Sequence, residues 1–204
     1  MNKFLIIIFG LGILSCSDKT TKDNNHKSEL TTSNTDSNKI KNSTSWIEHV
    51  NEPYFVGDIN NDKNYDSAYV IYDRVIGADS SIQKECVNKD CEVTIKFSSN
   101  IHQLVIPQSL GLNIQKTEDL NNDKANEIIL LSKWFEGYWG YIYVYSLNNS
   151  KWTELARTKA FLSKDKDWEN RIIKHKDGYF LLGDGWDDNR GGVTERSIQI
   201  RIKE

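Results

Sequence analysis

A nine-residue acidic segment occurs twice in this chain, and that repetition constrains the fold more than any other feature. Asp58-Ile59-Asn60-Asn61-Asp62-Lys63-Asn64-Tyr65-Asp66 is followed, 61 residues on, by Asp119-Leu120-Asn121-Asn122-Asp123-Lys124-Ala125-Asn126-Glu127. Both copies read Asp, aliphatic, Asn, Asn, Asp, Lys, two variable positions, then a carboxylate. An apolar run follows each one, Ala68-Tyr69-Val70-Ile71-Tyr72 and Ile128-Ile129-Leu130-Leu131. A sequence that repeats a loop together with its following strand repeats a supersecondary unit. Such a period has room for about four short strands and their turns, the content of one propeller blade.

The rest of the chain agrees with strands. Helical periodicity is scarce, whereas alternation and short β-branched or aromatic runs are common. Strands are expected at 46–50, 67–73, 92–97, 103–106, 127–133, 138–145, 152–157, 171–174, 179–182 and 194–202. In the last, Ile198, Ile200 and Ile202 alternate with Gln199, Arg201 and Lys203, which gives one buried and one wet face. Leu147-Asn148-Asn149-Ser150, Lys176-Asp177-Gly178 and Arg190-Gly191-Gly192 supply turns. The expected fold is all-β and antiparallel, a small or incomplete propeller-like set of sheets over 45–204.

Oxygen side chains at alternate positions, closed by a carboxylate at the ninth, suit a hard cation such as Ca²⁺. The loops resemble the FG-GAP (VCBS-like) repeats of β-propeller proteins, whose pattern is roughly Asp, apolar, Asn, Gly, Asp, Gly, two variable positions, Asp. The resemblance covers the two loops and the strands after them. It implies Ca²⁺ ligands at Asp58, Asn60, Asp62 and Asp66, with the Asn64 carbonyl. In the second copy it implies Asp119, Asn121, Asp123 and Glu127, with the Ala125 carbonyl. The chain departs from the pattern at both glycines. Asn61 and Asn122 are mild changes, because Asn tolerates a left-handed backbone. Lys63 and Lys124 are more serious, since lysine is strained there and brings a cation. Both loops share these departures, and Glu127, longer than the Asp of the pattern though able to be bidentate, leaves the first loop the better metal site of the two. The other reading is a pair of solvated Asx-turns without metal.

Lys3 followed by the apolar stretch 4–14 reads as a signal peptide over 1–15, too short to span a bilayer. Ile13-Leu14-Ser15-Cys16 resembles a bacterial lipobox, which implies cleavage before Cys16 and lipid on its thiol. Residues 16–44 then form a polar tether that buries too little apolar surface to order itself. The expected location is the cell envelope, lipid-anchored, on the periplasmic side or the surface. There disulfides persist, and Cys86 and Cys91 flank a turn that one bridge would close. The formal net charge is −3 and no basic stripe points to nucleic acid.

Aromatic residues crowd 134–152. Tyr141, Tyr143 and Tyr145 share one face of a strand, with Ile142 and Val144 on the other. Trp134, Phe135, Tyr138, Trp139 and, further on, Trp186 are the ones placed to meet a protein or glycan partner. The segment 183–190, rich in acids and glycine, reads as a polar connection rather than a third repeat. His26, His49, His102 and His175 lack metal-ligand spacing, and no nucleophile or phosphate-loop signature is present. The function expected is therefore non-enzymatic, a membrane-anchored binding or structural lipoprotein with Ca²⁺-stiffened loops. Two alternatives stand beside it. One is an inhibitor or immunity-type protein against a secreted hydrolase such as lysozyme, by analogy with small lipoproteins carrying similar loops. The other is a polysaccharide-acting enzyme, for which no catalytic pair of carboxylates stands out.

Overall fold

The computed structural model describes residues 44–83, 85–87, 90–133, 138–163 and 167–203. The signal peptide, Cys16 and all but the last residue of the tether lie outside them, as do Trp134 and Phe135. The described chain is all-β, in three antiparallel sheets whose strands follow sequence order. The first sheet holds β1 (Trp46–Gly57), β2 (Asp66–Ile76), β3 (Val93–Phe97) and β4 (Leu104–Ile106). The second holds β5 (Leu112–Lys116), β6 (Ile128–Lys133), β7 (Trp139–Asn148) and β8 (Lys151–Phe161). The third holds β9 (Ile172–His175), β10 (Gly178–Asp187) and β11 (Gly192–Arg201), entered through a single 3₁₀ turn, Trp168–Asn170.

The sequence repeat thus becomes a repeat of sheets. Each acidic loop joins the first two strands of a four-stranded meander, β1 to β2 and β5 to β6. The second sheet lies between the other two. Its face bearing Leu112, Ile114, Ile128, Leu130 and Tyr143 packs with Val50, Val70, Val93, Ile95 and Ile106 of the first sheet. Its opposite face, with Ile129, Leu131, Ile142, Val144 and Leu155, packs with Leu181 of β10 and with Ile202. The alternation expected along β7 is therefore real, but both faces are inside: the tyrosines meet the first sheet, and Ile142 and Val144 meet the third. Tyr143 stacks on Tyr145 at a centroid distance of 6.0 Å.

The aliphatic residue at the second position of each acidic loop enters this packing. Ile59 is fully buried in the core between the first and second sheets, and Leu120 in the core between the second and third. Each loop is thereby fastened at the boundary with the next sheet. The loops also meet each other. The Asn126 amide N–H donates to the Asp58 carbonyl at 2.8 Å, and the Asp58 N–H donates to Asn126 Oδ1 at 3.2 Å.

The structure differs from the sequence reading most in four places. Along β11 Ile198 is exposed and Ile200 only half-buried, so of the expected buried face Ile202 alone is inside. A strand not anticipated, β5, fills the edge of the second sheet. β1 continues seven residues past 50, because Asn51 to Gly57 find partners along β2. The segment 183–190 is not simply a connection. β10 runs on to Asp187 through a register irregularity between Gly183 and Gly185. Glycine is needed there, since a Cβ on Gly183 would sit 1.8 Å from Thr158 Oγ1. Cys86 and Cys91 are joined as expected, within the connection from β2 to β3, their Cα atoms 5.2 Å apart.

If Ile59 and Leu120 fasten the sheets, truncating either to alanine should cost about 2–5 kcal/mol, the usual range for a buried aliphatic residue. Tyr65→Ala, in the same first loop but 79% exposed, should stay within about 0.5 kcal/mol. Urea unfolding of the three variants measures this directly.

Candidate metal centre

The two loops have the same backbone. Asn61 and Lys63 stand at φ 58° and 69°, and Asn122 and Lys124 at 64° and 73°. These are the four positions where the resembled pattern has glycine. Both lysines therefore accept the left-handed conformation, at a cost of roughly 1–2 kcal/mol each. Their side chains are exposed.

The strain is offset by a shared hydrogen-bond pattern. In the first loop Asp58 accepts from the N–H groups of Asp62 at 3.1 Å and Lys63 at 2.9 Å. Asn60 Oδ1 accepts from Asp62 N–H at 3.0 Å, and Asp62 Oδ1 from Asn64 N–H at 2.8 Å. The second loop repeats this set. Asp119 accepts from Asp123 at 3.2 Å and Lys124 at 2.9 Å, Asn121 from Asp123 at 3.0 Å, and Asp123 from Ala125 at 2.9 Å. These are Asx-type turns, so the solvated-turn reading describes the backbone correctly. Each carboxylate oxygen has more than one acceptor site, and these bonds leave room for a cation.

The loops part at the ninth residue. Asp66 is fully engaged: Oδ2 accepts from Ile59 N–H at 3.3 Å and Oδ1 from the Ser98 hydroxyl at 3.1 Å. Glu127 is longer by one methylene. Its Oε2 accepts from Leu120 N–H at 2.6 Å, while Oε1 is buried without a hydrogen-bond partner. Oxygens of Asp119, Asp123 and Glu127 lie within 4.8 Å of one another, the one three-carboxylate cluster among the described residues. Three carboxylates thus converge in the second loop, although the sequence reading favours the first. Burial pushes the Glu127 carboxyl up to about 7; the Leu120 N–H opposes this, and the charges of Asp123 and Asp119 add to it. Asp66 is also raised, first by burial, against its bonds to Ser98 and Ile59.

Three contributors were not legible in the motif. Ser146 on β7 accepts from Asn121 Nδ2 at 3.0 Å and donates to Asp123 Oδ2 at 3.3 Å. Ser98 follows β3 and holds Asp66. Asn126 ties the second loop to the first and also donates to the Thr117 carbonyl at 2.9 Å. All three depend on pairing between distant segments, and nothing local in the sequence announces it.

The aromatic residues singled out above divide. Tyr138 and Trp186 are 59% and 56% exposed. Trp139 is half-buried with its ring edge-on to Phe161 at 5.3 Å. The acids of 183–190 serve structure as well. Asp184 is buried in a bidentate pair with Arg171, at 2.9 and 2.8 Å, and also accepts from the N–H groups of Phe161 and Arg196. Burial alone would raise its pKa, but these four donors outweigh it and hold the carboxyl below its ordinary value.

No protein-family model matches the chain, and no curated protein or solved structure matches it either.

A carboxyl whose pKa is raised on folding destabilises the folded state once the unfolded chain ionises. In metal-free protein, stability should therefore fall as pH rises from about 4.3, the unperturbed Glu value, towards about 7. Glu127→Gln should flatten most of that slope, the remainder coming from Asp66. Denaturant unfolding in chelator at a series of pH values reads both. A slope unchanged in Glu127→Gln would remove Glu127 as its source.

Proposed function

We propose that this chain is a non-enzymatic, membrane-anchored extracytoplasmic lipoprotein, a binding or structural module whose repeat loops take Ca²⁺. The observation that carries the metal assignment is Glu127 Oε1, a buried carboxylate oxygen without a partner beside Asp119 and Asp123. Leaving such an atom unpaired costs roughly 1–3 kcal/mol or more for a charged group. A divalent cation relieves that cost and the mutual repulsion of three carboxylates together. An all-oxygen donor set favours a hard ion over zinc or copper.

The residues that would hold the ion are Asp119, Asn121, Asp123, the Ala125 carbonyl and Glu127. Asp58, Asn60, Asp62, the Asn64 carbonyl and Asp66 form a second, weaker site, because Asp66 is already satisfied by Ile59 and Ser98. Bound Ca²⁺ supplies charge neutralisation and cross-links the two ends of a loop. The chain's own part is to hold the loop ends at a sheet boundary through Leu120 and Ile59. Anchoring rests on the lipobox and tether alone. The lipid at Cys16 would keep the domain at a membrane, and the tether would hold it clear of the surface.

Ca²⁺ that binds only the folded state stabilises it by about 2.7 kcal/mol at a hundredfold excess over Kd. The full chain in detergent micelles should melt lower in chelator, recover with millimolar Ca²⁺, and recover less with Mg²⁺, which demands a tighter octahedron. Asp123→Ala should remove most of this response, and Asp62→Ala a smaller part. A melting temperature indifferent to Ca²⁺ in protein shown to be metal-free would leave the loops as Asx-turns and overturn the metal assignment.

A further inference from the structure

A cleft of about 500 Å³ opens where β10 and β11 pass the edge of β8. Trp139 and Tyr141 of β7, Lys159 of β8, Trp186 of β10 and Ile198 of β11 line it, with Asp184 at its side. Gly140 and Gly185 contribute no side chain to fill it. This volume falls in the range of small-ligand sites, which are mostly apolar with a few placed polar groups.

The chemistry of those groups narrows the occupant. Neither the Trp139 nor the Trp186 indole N–H has a hydrogen-bond partner among the described residues. Trp186 is more than half exposed, and Trp139 is braced by Phe161. An occupant with an apolar face and a hydrogen-bonding rim satisfies both parts of an indole; a purely apolar one leaves the N–H groups dry. A pyranose ring has that form, with C–H groups on its face and hydroxyls at its edge.

Charge narrows it further. Three of the acids nearby are committed to arginines. Asp184 takes Arg171 and two backbone N–H groups, Asp187 takes Arg190, and Asp167 takes Arg196 at 2.9 Å. Lys159 lines the same cleft, is exposed, and has no ion-pair partner among the described residues. Of the two charged residues that line the cleft, Asp184 is paired and Lys159 is not, so its uncommitted charge is a cation. A peptide strand adding to the edge of β8 is disfavoured. Asp184 already accepts the Phe161 N–H at 2.8 Å, and Lys203 N–H donates to the Leu155 carbonyl at 3.3 Å. The edge left open between these two bonds is five residues long, 156–160, the bare length of an ordinary strand, and it is closed at both ends.

We infer that this cleft binds a pyranose carrying a carboxylate, an acidic sugar unit of a glycan. Its ring lies against Trp139 and Trp186, and its carboxylate pairs with Lys159. The inference deepens the binding-module reading and does not involve the acidic loops.

The test is a titration of the full chain in detergent micelles, in chelator so that Ca²⁺ cannot bridge protein and sugar. The probes are a tetramer of galacturonic acid and a neutral maltotetraose, read by tryptophan fluorescence and calorimetry. The acidic tetramer should bind and the neutral one should bind at least tenfold more weakly. Lys159→Gln should weaken acidic binding about tenfold, the loss of one charge-assisted hydrogen bond, without changing neutral binding. Trp186→Ala should weaken both. Trp186 and Lys159 are exposed, so both variants should keep the parent melting temperature. Equal binding of the two tetramers, binding insensitive to Trp186→Ala, or no binding at 10 mM (about the weakest affinity worth the name) would each overturn the inference. None of these results would touch the melting response to Ca²⁺, so a failed cleft and a failed metal site are told apart.

Discussion

The whole arrangement depends on two aliphatic side chains that point inward from otherwise polar loops. Ile59 and Leu120 sit among acids and amides in sequence, yet both are buried between sheets. Burying a side chain of this size contributes roughly 1.5–3 kcal/mol. The placement matters as much as the energy. Each loop joins the first two strands of its own sheet and is pinned at the boundary with the next one. A loop held in this way cannot drift, and the carboxylates on either side of the aliphatic residue are carried to fixed positions. The repeat therefore transmits position from core to loop, and the second sheet, covered on both faces, is the layer to which both loops refer.

From that constraint follows the difference between the two ninth residues. In each loop a carboxylate reaches back to the N–H of the buried aliphatic residue, Asp66 to Ile59 and Glu127 to Leu120. Asp66 uses its other oxygen on Ser98. Glu127 has one more methylene, is completely buried, and has a second oxygen with no partner. The same backbone thus carries a satisfied turn in one copy and an unsatisfied carboxylate beside two others in the next. Left without a cation, the second loop holds its carboxyl up to about 7, chiefly through burial.

Much of this is legible in the sequence. Alternation in 194–202 and the β-branched runs gave most strands, and the spacing of the two loops gave the repetition of sheets. The strand β5 escaped because Leu112-Asn113-Ile114-Gln115-Lys116 has only two apolar residues, and pairing with β6 decides it. β10 was cut short because Gly183, Asp184 and Gly185 look like a turn. Close approach to Thr158 explains the first glycine, and the ion pair with Arg171 explains the acid. The repeated polar residues of both loops are read from their spacing, but the difference between the two copies is not. It turned on one methylene and on Ser98 and Ser146, which reach the loops only through the fold. The lysines at left-handed positions are the more serious departures from the resembled pattern, yet the hydrogen bonds accepted by Asp58 and Asp119 hold them there.

The central claim is that Glu127, Asp119 and Asp123 share one cation. Anomalous diffraction from crystals grown with Ca²⁺ addresses it without any inference from stability. The account predicts a peak in the second loop within about 2.3–2.6 Å of Glu127 Oε1 and of oxygens from Asp119 and Asp123, stronger than any at the first loop. A well-ordered second loop with no such peak, and with Glu127 Oε1 bonded to a water or a protein group, would contradict it.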